Sequence, residues 1–517
     1  MSARTSRRAS KPAPDPITLP QAKVFDLRRP EVYDARTVQQ LRKSAACSSL
    51  DLGGLQHRPL PATLRGLQYR ADQPALTAFA GIPLLMQFSY ELGLADRLAG
   101  VPLAKRESVY TPGKLCEVVF ASLAAGLVRI SHVDDHTYDP GLCASLGVER
   151  LPDQATLSRL FSSASEEAVA FLRGANRDFS RYSAEAKHRV RRLVVDCDTR
   201  DITVYGKQEG AKCSPRTHGD PQYVIELTTL RNSLDILDGG LLEGATHPAG
   251  LFGARLETVL GQLAWQTDEL IFCADAAWFS ADILQAIEAA DANEQVPCSC
   301  DYIIRAQVSS RMRAAIEQIP EERWRPAGRD QQIAEFEFAF TKSRHVKDTT
   351  LRRYIVTRER LDDDKQTQGQ GVLLDCPRYA YHPLVTGLAW KPTRIVAFYN
   401  KRATIESVLK EGKLGFRADS LPSMTFQGNA LFCQLVILAY NHVNVFRRLC
   451  MPTERSRHHV QALRRLALAT PGLVERTAQG LLIHCPSLGP AAELLPAVAR
   501  AVERWVARLG PPHPAPT

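Results

Sequence analysis

The chain has 517 residues, a formal net charge of +9 and a sequence pI of about 8.9. That length is too great for one ordinary core, so two or three domains are expected, and a content of 44% hydrophobic and 23% charged residues excludes a disordered or fibrous chain. The positive balance tilts mildly toward an acidic partner, and no run of eighteen apolar residues predicts a membrane span, so the expected setting is the cytoplasm.

The N-terminal stretch MSARTSRRASKPAPDP is basic and rich in Pro and Ser, without the apolar segment of a signal peptide. Residues 1–75 are therefore expected to be a basic, partly disordered region. Residues 76–187 read as helical. LTAFAGIPLLMQFSYELGLADRLAG and GKLCEVVFASLAAGLVRI are long apolar segments punctuated by Gly, and Asp153 is placed to cap a helix through LPDQATLSRLFSS. Such a unit suits a DNA-binding domain and equally a plain helical bundle packed on the next domain.

At about Arg191 the pattern changes. RRLVVDCDTRDITVYG is rich in Val, Ile and Thr and closes on Gly206, as a strand and its turn would. QYVIELTTL and DILDGGLLEG suggest further strands meeting at a glycine turn. ARLETVLGQLAWQ reads as a helix, ELIFCADAAWF as a strand running into the helix SADILQAIEAAD, and YIIRAQV as the next strand. Residues 188–311 thus predict a mixed α/β sheet. Residues 312–390 turn β-rich: EFEFAFTK alternates, RRYIVTRER pairs with it, and the polar link DDDKQTQGQG precedes the strand VLLD. From 391 the chain is helical again, through 391–450 and a C-terminal region 451–517. NALFCQLVILAYNHVNVFRRL has a strongly apolar face.

The twelve cysteines form no C-x-x-C pair; Cys298 and Cys300 are close but lack partners at zinc-finger spacing, so free thiols are expected.

Candidate chemistry rests on four acids and one helix. Asp196 and Asp198 lie two apart on one predicted strand and so share a face, preceded by Leu193, Val194 and Val195 of a buried strand. Asp275 follows Ile271–Ala274 in the same way. A buried aspartate is expensive unless it is paired or binds a cation, although strand-end aspartates also cap helices and accept backbone amides. YNKRATIESVLKEGK, read as one helix, places Tyr399, Arg402, Glu406, Lys410 and Lys413 at offsets 0, 3, 7, 11 and 14, returning to one face. That face would carry a phenol, three cations and one carboxylate, as a surface that grips a polyanion and offers a metal ligand. Two strand-end aspartates and a helical glutamate are what a two-metal phosphoryl-transfer site needs, because magnesium prefers hard oxygen ligands.

These residues resemble a known family. Tyr399, Arg402, Glu406 and Lys413, separated by two, three and six residues, resemble the signature of DDE transposases of bacterial insertion sequences, a group related to the insertion-sequence-4-like transposases. LVVDCDTRDITVYGKQEGA resembles the first-aspartate block of the 1380-type group, FCADAAWFSADIL the second, and FQGNALFCQLVILAYN the segment after the signature helix. The resemblance runs from about Leu76 to Arg448. It implies a ribonuclease-H-like catalytic core in two parts, 188–311 and 391–450, interrupted by the β-rich insertion. It further implies metal-dependent cutting at transposon ends and joining of the 3′ hydroxyl to target DNA, by a homodimer on paired ends of double-stranded DNA. Two Mg2+ ions, with Mn2+ as a substitute, would be held by Asp275, by Glu406, and by Asp196 or Asp198. Thr199 after Asp198 favours the latter, whereas the position of Asp196 at the core edge favours the former. Tyr399, Arg402, Lys410 and Lys413 would hold DNA phosphates.

One departure is visible: the family's second block carries Ser-Gly after the aspartate, and this chain has Ala276 and Ala277. Trp390 offers a ring on which a flipped base could stack, or a structural core residue. Two other readings remain open: a nuclease of the same fold without strand transfer, and an inactive DNA-binding relic.

Overall fold

The computed structural model describes residues 71–509, except 104–108, 185–188, 214–218, 245, 329, 340–348, 361–378 and 457. The expected N-terminal tail, the link DDDKQTQGQG and the strand VLLD lie outside the described residues.

After a short strand β1 (Leu76–Thr77) come six helices: α1 (Ile82–Glu91), α2 (Leu94–Ala99), α3 (Pro112–Ala125), α4 (Pro140–Leu146), α5 (Gln154–Ser162) and α6 (Glu166–Ala184). The chemistry of their ends is local. Thr111 caps α3 by accepting from the Lys114 amide, and Gly126, at φ 95°, closes it in the left-handed conformation. Asp153 caps α5 as expected, its Oδ1 2.7 Å from the Thr156 nitrogen.

The second half builds the main sheet. Its strands are β2 (Val190–Thr203), β3 (Lys212–Cys213), β4 (Pro221–Leu230) and β5 (Asp235–Glu243), then β6 (Thr267–Ala274) and β7 (Ser299–Arg305). Helices α7 (Phe252–Leu263) and α8 (Ala281–Asp291) flank β6 in sequence. The β-rich segment supplies α9 (Ser310–Glu317) and strands β8 (Arg325–Pro326), β9 (Gln331–Ala339), β10 (Leu351–Arg360) and β11 (Tyr379–Thr386). Next come α10 (Pro392–Asn400), α11 (Ala403–Phe416) and α12 (Phe426–Cys450). The sheet order is β3-β4-β2-β6-β7-β11-β10-β9-β8, with β5 also paired to β4. Strand β2 is antiparallel to β4 and parallel to β6, and β6 is parallel to β7. The β-rich segment extends the same sheet, because β11 pairs antiparallel with β7.

Three expectations need correction. The glycines of DILDGGLLEG are not a turn: Gly239 and Gly240 lie inside β5, and the chain reverses at Arg231–Leu234, with Leu234 at φ 63°. A Cβ on Gly239 would sit 2.5 Å from the Glu226 carbonyl oxygen, so only glycine lets β5 approach β4 there. The C-terminal region is not purely helical: β12 (Gly472–Thr477) and β13 (Gly480–His484) form a hairpin that pairs with β1 before α13 (Pro490–Leu509). The run from Tyr399 to Lys413 is not one helix, because α10 ends at Asn400 and α11 begins at Ala403.

Packing explains why the helical N-terminal region is not a separate module. Residues of α1 to α6 share a continuous apolar core with α12 and α13, including Phe88, Phe120, Phe161, Phe179, Leu431, Phe446 and Val502. Helix α12 is, among the described residues, the one helix long and apolar enough to cross a membrane, and its apolar stretch is buried inside the protein. Its buried amides serve the outer edge of β5. Asn441 accepts from the Ile236 amide at 2.9 Å and donates to its carbonyl at 2.8 Å, and Gln434 donates to the Gly239 carbonyl at 2.9 Å. An edge strand is thereby closed by side chains instead of another strand. On the opposite side of β2, Leu193, Val195 and Cys197 pack in a second core with α7 and α8.

Candidate functional site

Strand alternation sorts β2 into two faces. Leu193, Val195 and Cys197 point into the core beneath α7 and α8, whereas Val194, Asp196 and Asp198 point to the face covered by α10 and α11. Two carboxylates therefore enter a low-dielectric layer side by side, and each must find a counter-charge.

They find different ones. Asp196 is fully buried and both its oxygens are taken by Arg231, Nε at 2.8 Å and Nη2 closer still. Arg231 also donates to the Phe398 carbonyl at 2.9 Å, which ties α10 to the turn after β4. Burial pushes the Asp196 carboxyl above its usual range, with Arg231 pulling the other way. Asp198 pairs with Arg402, Oδ1 to Nη2 at 2.8 Å, and also accepts from the Thr199 amide at 2.9 Å. Its carboxyl is pushed up to about 6 by burial; Arg402 opposes the shift and the neighbouring charge of Asp275 adds to it.

Asp275 stands just past the end of β6, where the parallel register sets Ala274 beside Cys197. It caps the short 3-10 turn Ala276–Trp278 by accepting from the Ala277 amide at 3.0 Å. Trp278 is wholly buried in the α7–α8 core, so the Ala-Ala pair forms a tight turn anchored by an aromatic. Burial works against the charge of Arg402, yet Asp198, Tyr399, Asp275 and Asp196 together hold it above the ordinary arginine value.

The elbow between α10 and α11 is built around that guanidinium. Lys401 and Arg402 close it with turn hydrogen bonds, Arg402 N to Tyr399 O at 2.7 Å, while the Arg402 side chain drops onto Asp198 and the Cys197 carbonyl. A straight helix would have carried Arg402 out with Glu406. Tyr399 is likewise turned inward, its hydroxyl reaching the Ala274 carbonyl at 3.4 Å and pushed up to about 12 by burial. Glu406 lies exposed in the first turn of α11, Lys410 is exposed one turn on, and Lys413 pairs loosely with Asp419 at 3.6 Å.

The structure thus unites Asp198, Asp275, Arg402 and Tyr399, sets Asp196 in a separate pair, and leaves Glu406, Lys410 and Lys413 along an outer helix face. Among the described residues, no three His, Cys, Asp or Glu side chains are close enough to share a metal ion. The acids suit a hard cation in chemistry, but the cation against Asp198 is a guanidinium and the third oxygen donor stands apart. The guanidinium groups of Arg192, 4.4 Å away, and Arg394, 4.1 Å away, lie over the Trp390 ring.

Sequence reasoning missed Arg231, whose only signal was a lone cation after an apolar strand. It also missed Arg200, on β2 past Asp198, and Tyr205, just beyond that strand, which line a cleft of about 790 Å³ together with Arg129, Lys413 and Arg417.

No curated protein matches the chain. Among solved structures, the piggyBac transposase synaptic complex with hairpin DNA aligns over 89% of this chain and 86% of that one, at 9% identity and a TM-score of 0.42. The family model Transposase DDE domain group 1 matches residues 63–507, and the chain belongs to that family of DDE transposases.

Proposed function

We propose that the protein cuts DNA at the ends of a bacterial insertion sequence of the 1380-type group and joins the freed 3′ hydroxyl to target DNA, acting as a homodimer on paired ends. The observation that carries this reading is the meeting of Asp198, on β2 just past its pairing with β6, and Asp275, just past the end of β6, under the elbow that bears Arg402 and Glu406. Acids held together where the parallel pairing of β2 and β6 ends, on a sheet of order β5-β4-β2-β6-β7, support a ribonuclease-H-like core.

In this reading Asp198 is the first acid, since Asp196 is already committed to Arg231. Asp275 is the second and Glu406 the third. Divalent metal, which DDE transposases generally use, would here be magnesium, activating the attacking oxygen and stabilising the leaving one. The chain's own residues bind and orient. Lys410 and Lys413 hold backbone phosphates along the exposed face of α11. Tyr399 braces the end of β6 through Ala274, and Arg402 keeps Asp198 neutralised while no DNA is bound.

The test is incubation with magnesium, a duplex bearing the element's ends, and a plasmid target. Joined products are expected, and Glu406→Gln should abolish them while DNA binding persists. Cut ends without joined products would instead identify a simple nuclease, and binding without any cutting an inactive relic.

A further inference from the structure

The cleft beyond the acid pair has features the cutting chemistry does not use. Asp196, Asp198, Arg200 and Ile202 share one face of β2, so the strand passes from the acids directly into this cleft. Its walls come from the segment Arg129–Ser131, the start of α5 at Gln154, the end of β2 with Tyr205 and Gly206 after it, Lys413 in the last turn of α11, and the segment Arg417–Pro422 that follows. Four cations line it, Arg129, Arg200, Lys413 and Arg417, against two carboxylates, Asp201 and Asp419. Asp419 is shared between Lys413 at 3.6 Å and Arg417 at 3.4 Å. Among the described residues, exposed Arg129 and Arg200 pair with no carboxylate, so the cleft keeps an excess of positive charge.

Two further observations point to an occupant. Tyr205 is 94% exposed, an aromatic ring left in solvent at the rim of a cationic cleft. Arg417 sits at φ 50° and ψ 47°, the left-handed position that ends a helix and that glycine ordinarily takes. That turn sets Arg417 in the wall of the cleft. An aromatic platform beside a track of guanidinium and ammonium groups is the recognition chemistry of single-stranded nucleic acid: bases stack on the ring and phosphates follow the cations. A cleft of about 790 Å³ has room for a few nucleotides of one strand.

We propose that this cleft binds a short single-stranded stretch of DNA flanking the phosphodiester presented to Asp198 and Asp275. Arg200, Arg417 and Arg129 contact its phosphates and Tyr205 stacks on one base. The proposal rests on the reading of the chain as a DNA-cutting enzyme and adds the form of DNA that it holds beside the cut.

The probe is a fluorescein-labelled oligothymidylate of twelve nucleotides, titrated with the full chain in fluorescence anisotropy against an unlabelled duplex of equal length. The oligothymidylate is expected to bind, and the double variant Arg200→Gln, Arg417→Gly to weaken it about tenfold or more. The salt slope should fall by roughly 1.4, about 0.7 for each lost phosphate contact to a single strand. Glycine relieves the left-handed backbone at position 417, so a loss there does not reflect a damaged fold. Tyr205→Ala should weaken binding at least about fivefold, whereas Tyr205→Phe, which keeps the ring, should bind as the parent does. Failure of the parent chain to bind oligothymidylate, complete displacement by an equal concentration of duplex, or unchanged affinity in the double variant and in Tyr205→Ala overturns the proposal. Asp198→Asn separates the two readings: normal cutting by that variant sinks the catalytic assignment, while its oligothymidylate binding still reports on the cleft.

Discussion

Arg402 and Asp198 form a buried ion pair at 2.8 Å, and this pair holds the α10–α11 elbow against the strand that carries the acids. Removing one member of such a pair leaves an uncompensated buried charge. Arg402→Gln should therefore lower stability by about 3 kcal/mol in urea denaturation at pH 7. The same variant should raise the Asp198 carboxyl above about 6, because the attraction that opposes burial is lost. A carbon-detected NMR titration showing the carboxyl unmoved would contradict the pairing.

Asp198 also sets a pH dependence. Its folded value, about 6, exceeds the ordinary aspartate value of 3.8, so the folded state holds more protons between those limits. Its contribution to stability is thus full below pH 3.8 and is lost as pH rises through about 6. Asp198→Asn should remove that component, seen as a flatter stability profile between about pH 4 and 6. Cutting should follow the opposite trend and rise over this range as the carboxylate ionises.

Asp196 and Arg231 should behave as a closed structural unit. Arg231→Met leaves Asp196 buried with no cation on its oxygens and is expected to lose about 3 to 5 kcal/mol. Asp196→Leu combined with Arg231→Met should lose less than either single change, since no charge is then stranded. Additive losses in the double-mutant cycle would show the two residues to be independent.

His442 lies at the centre of the helical core, stacked on Phe179 with ring centroids 3.9 Å apart, and neither ring nitrogen has a hydrogen-bond partner. Burial pulls its imidazole down to about 3 from 6.5. The unfolded chain binds this proton more readily, so stability is intact above pH 6.5 and declines as pH falls toward 3. His442→Phe should shed that part of the acid sensitivity, and an identical acid-unfolding curve would exclude His442 as its source.

Lys410 and Lys413 project from the outer face of α11. Alanine at either position should lower the slope of log affinity for duplex DNA against log salt by about 0.9 and weaken binding to all sequences alike. Unchanged slopes would move the duplex-binding surface elsewhere on the molecule.

Much of this protein is legible in local pattern. The β-branched run before Asp196, the apolar stretch before Asp275 and the capping residue Asp153 act through neighbouring atoms, so period and residue type reveal them. Local pattern also reveals the common face of Asp196 and Asp198, because side chains alternate along any strand. It could not tell the two apart, since the difference lies in partners far along the chain, Arg231 for one and Arg402 for the other. It misjudged the Tyr399–Lys413 segment for a related reason. Helical spacing alone carries Arg402 outward with Glu406, and only the pull of a buried carboxylate on another element bends the chain at Lys401 and turns that cation inward. The glycines of β5 and the amides of α12 make the same point, their roles set by how closely β4 and α12 approach. Residue order and type were enough to establish most of the strands and helices and which positions carry charge. Which charges meet was settled by the folded packing, because the energy of a buried charge depends on the partners that folding brings within a few ångströms.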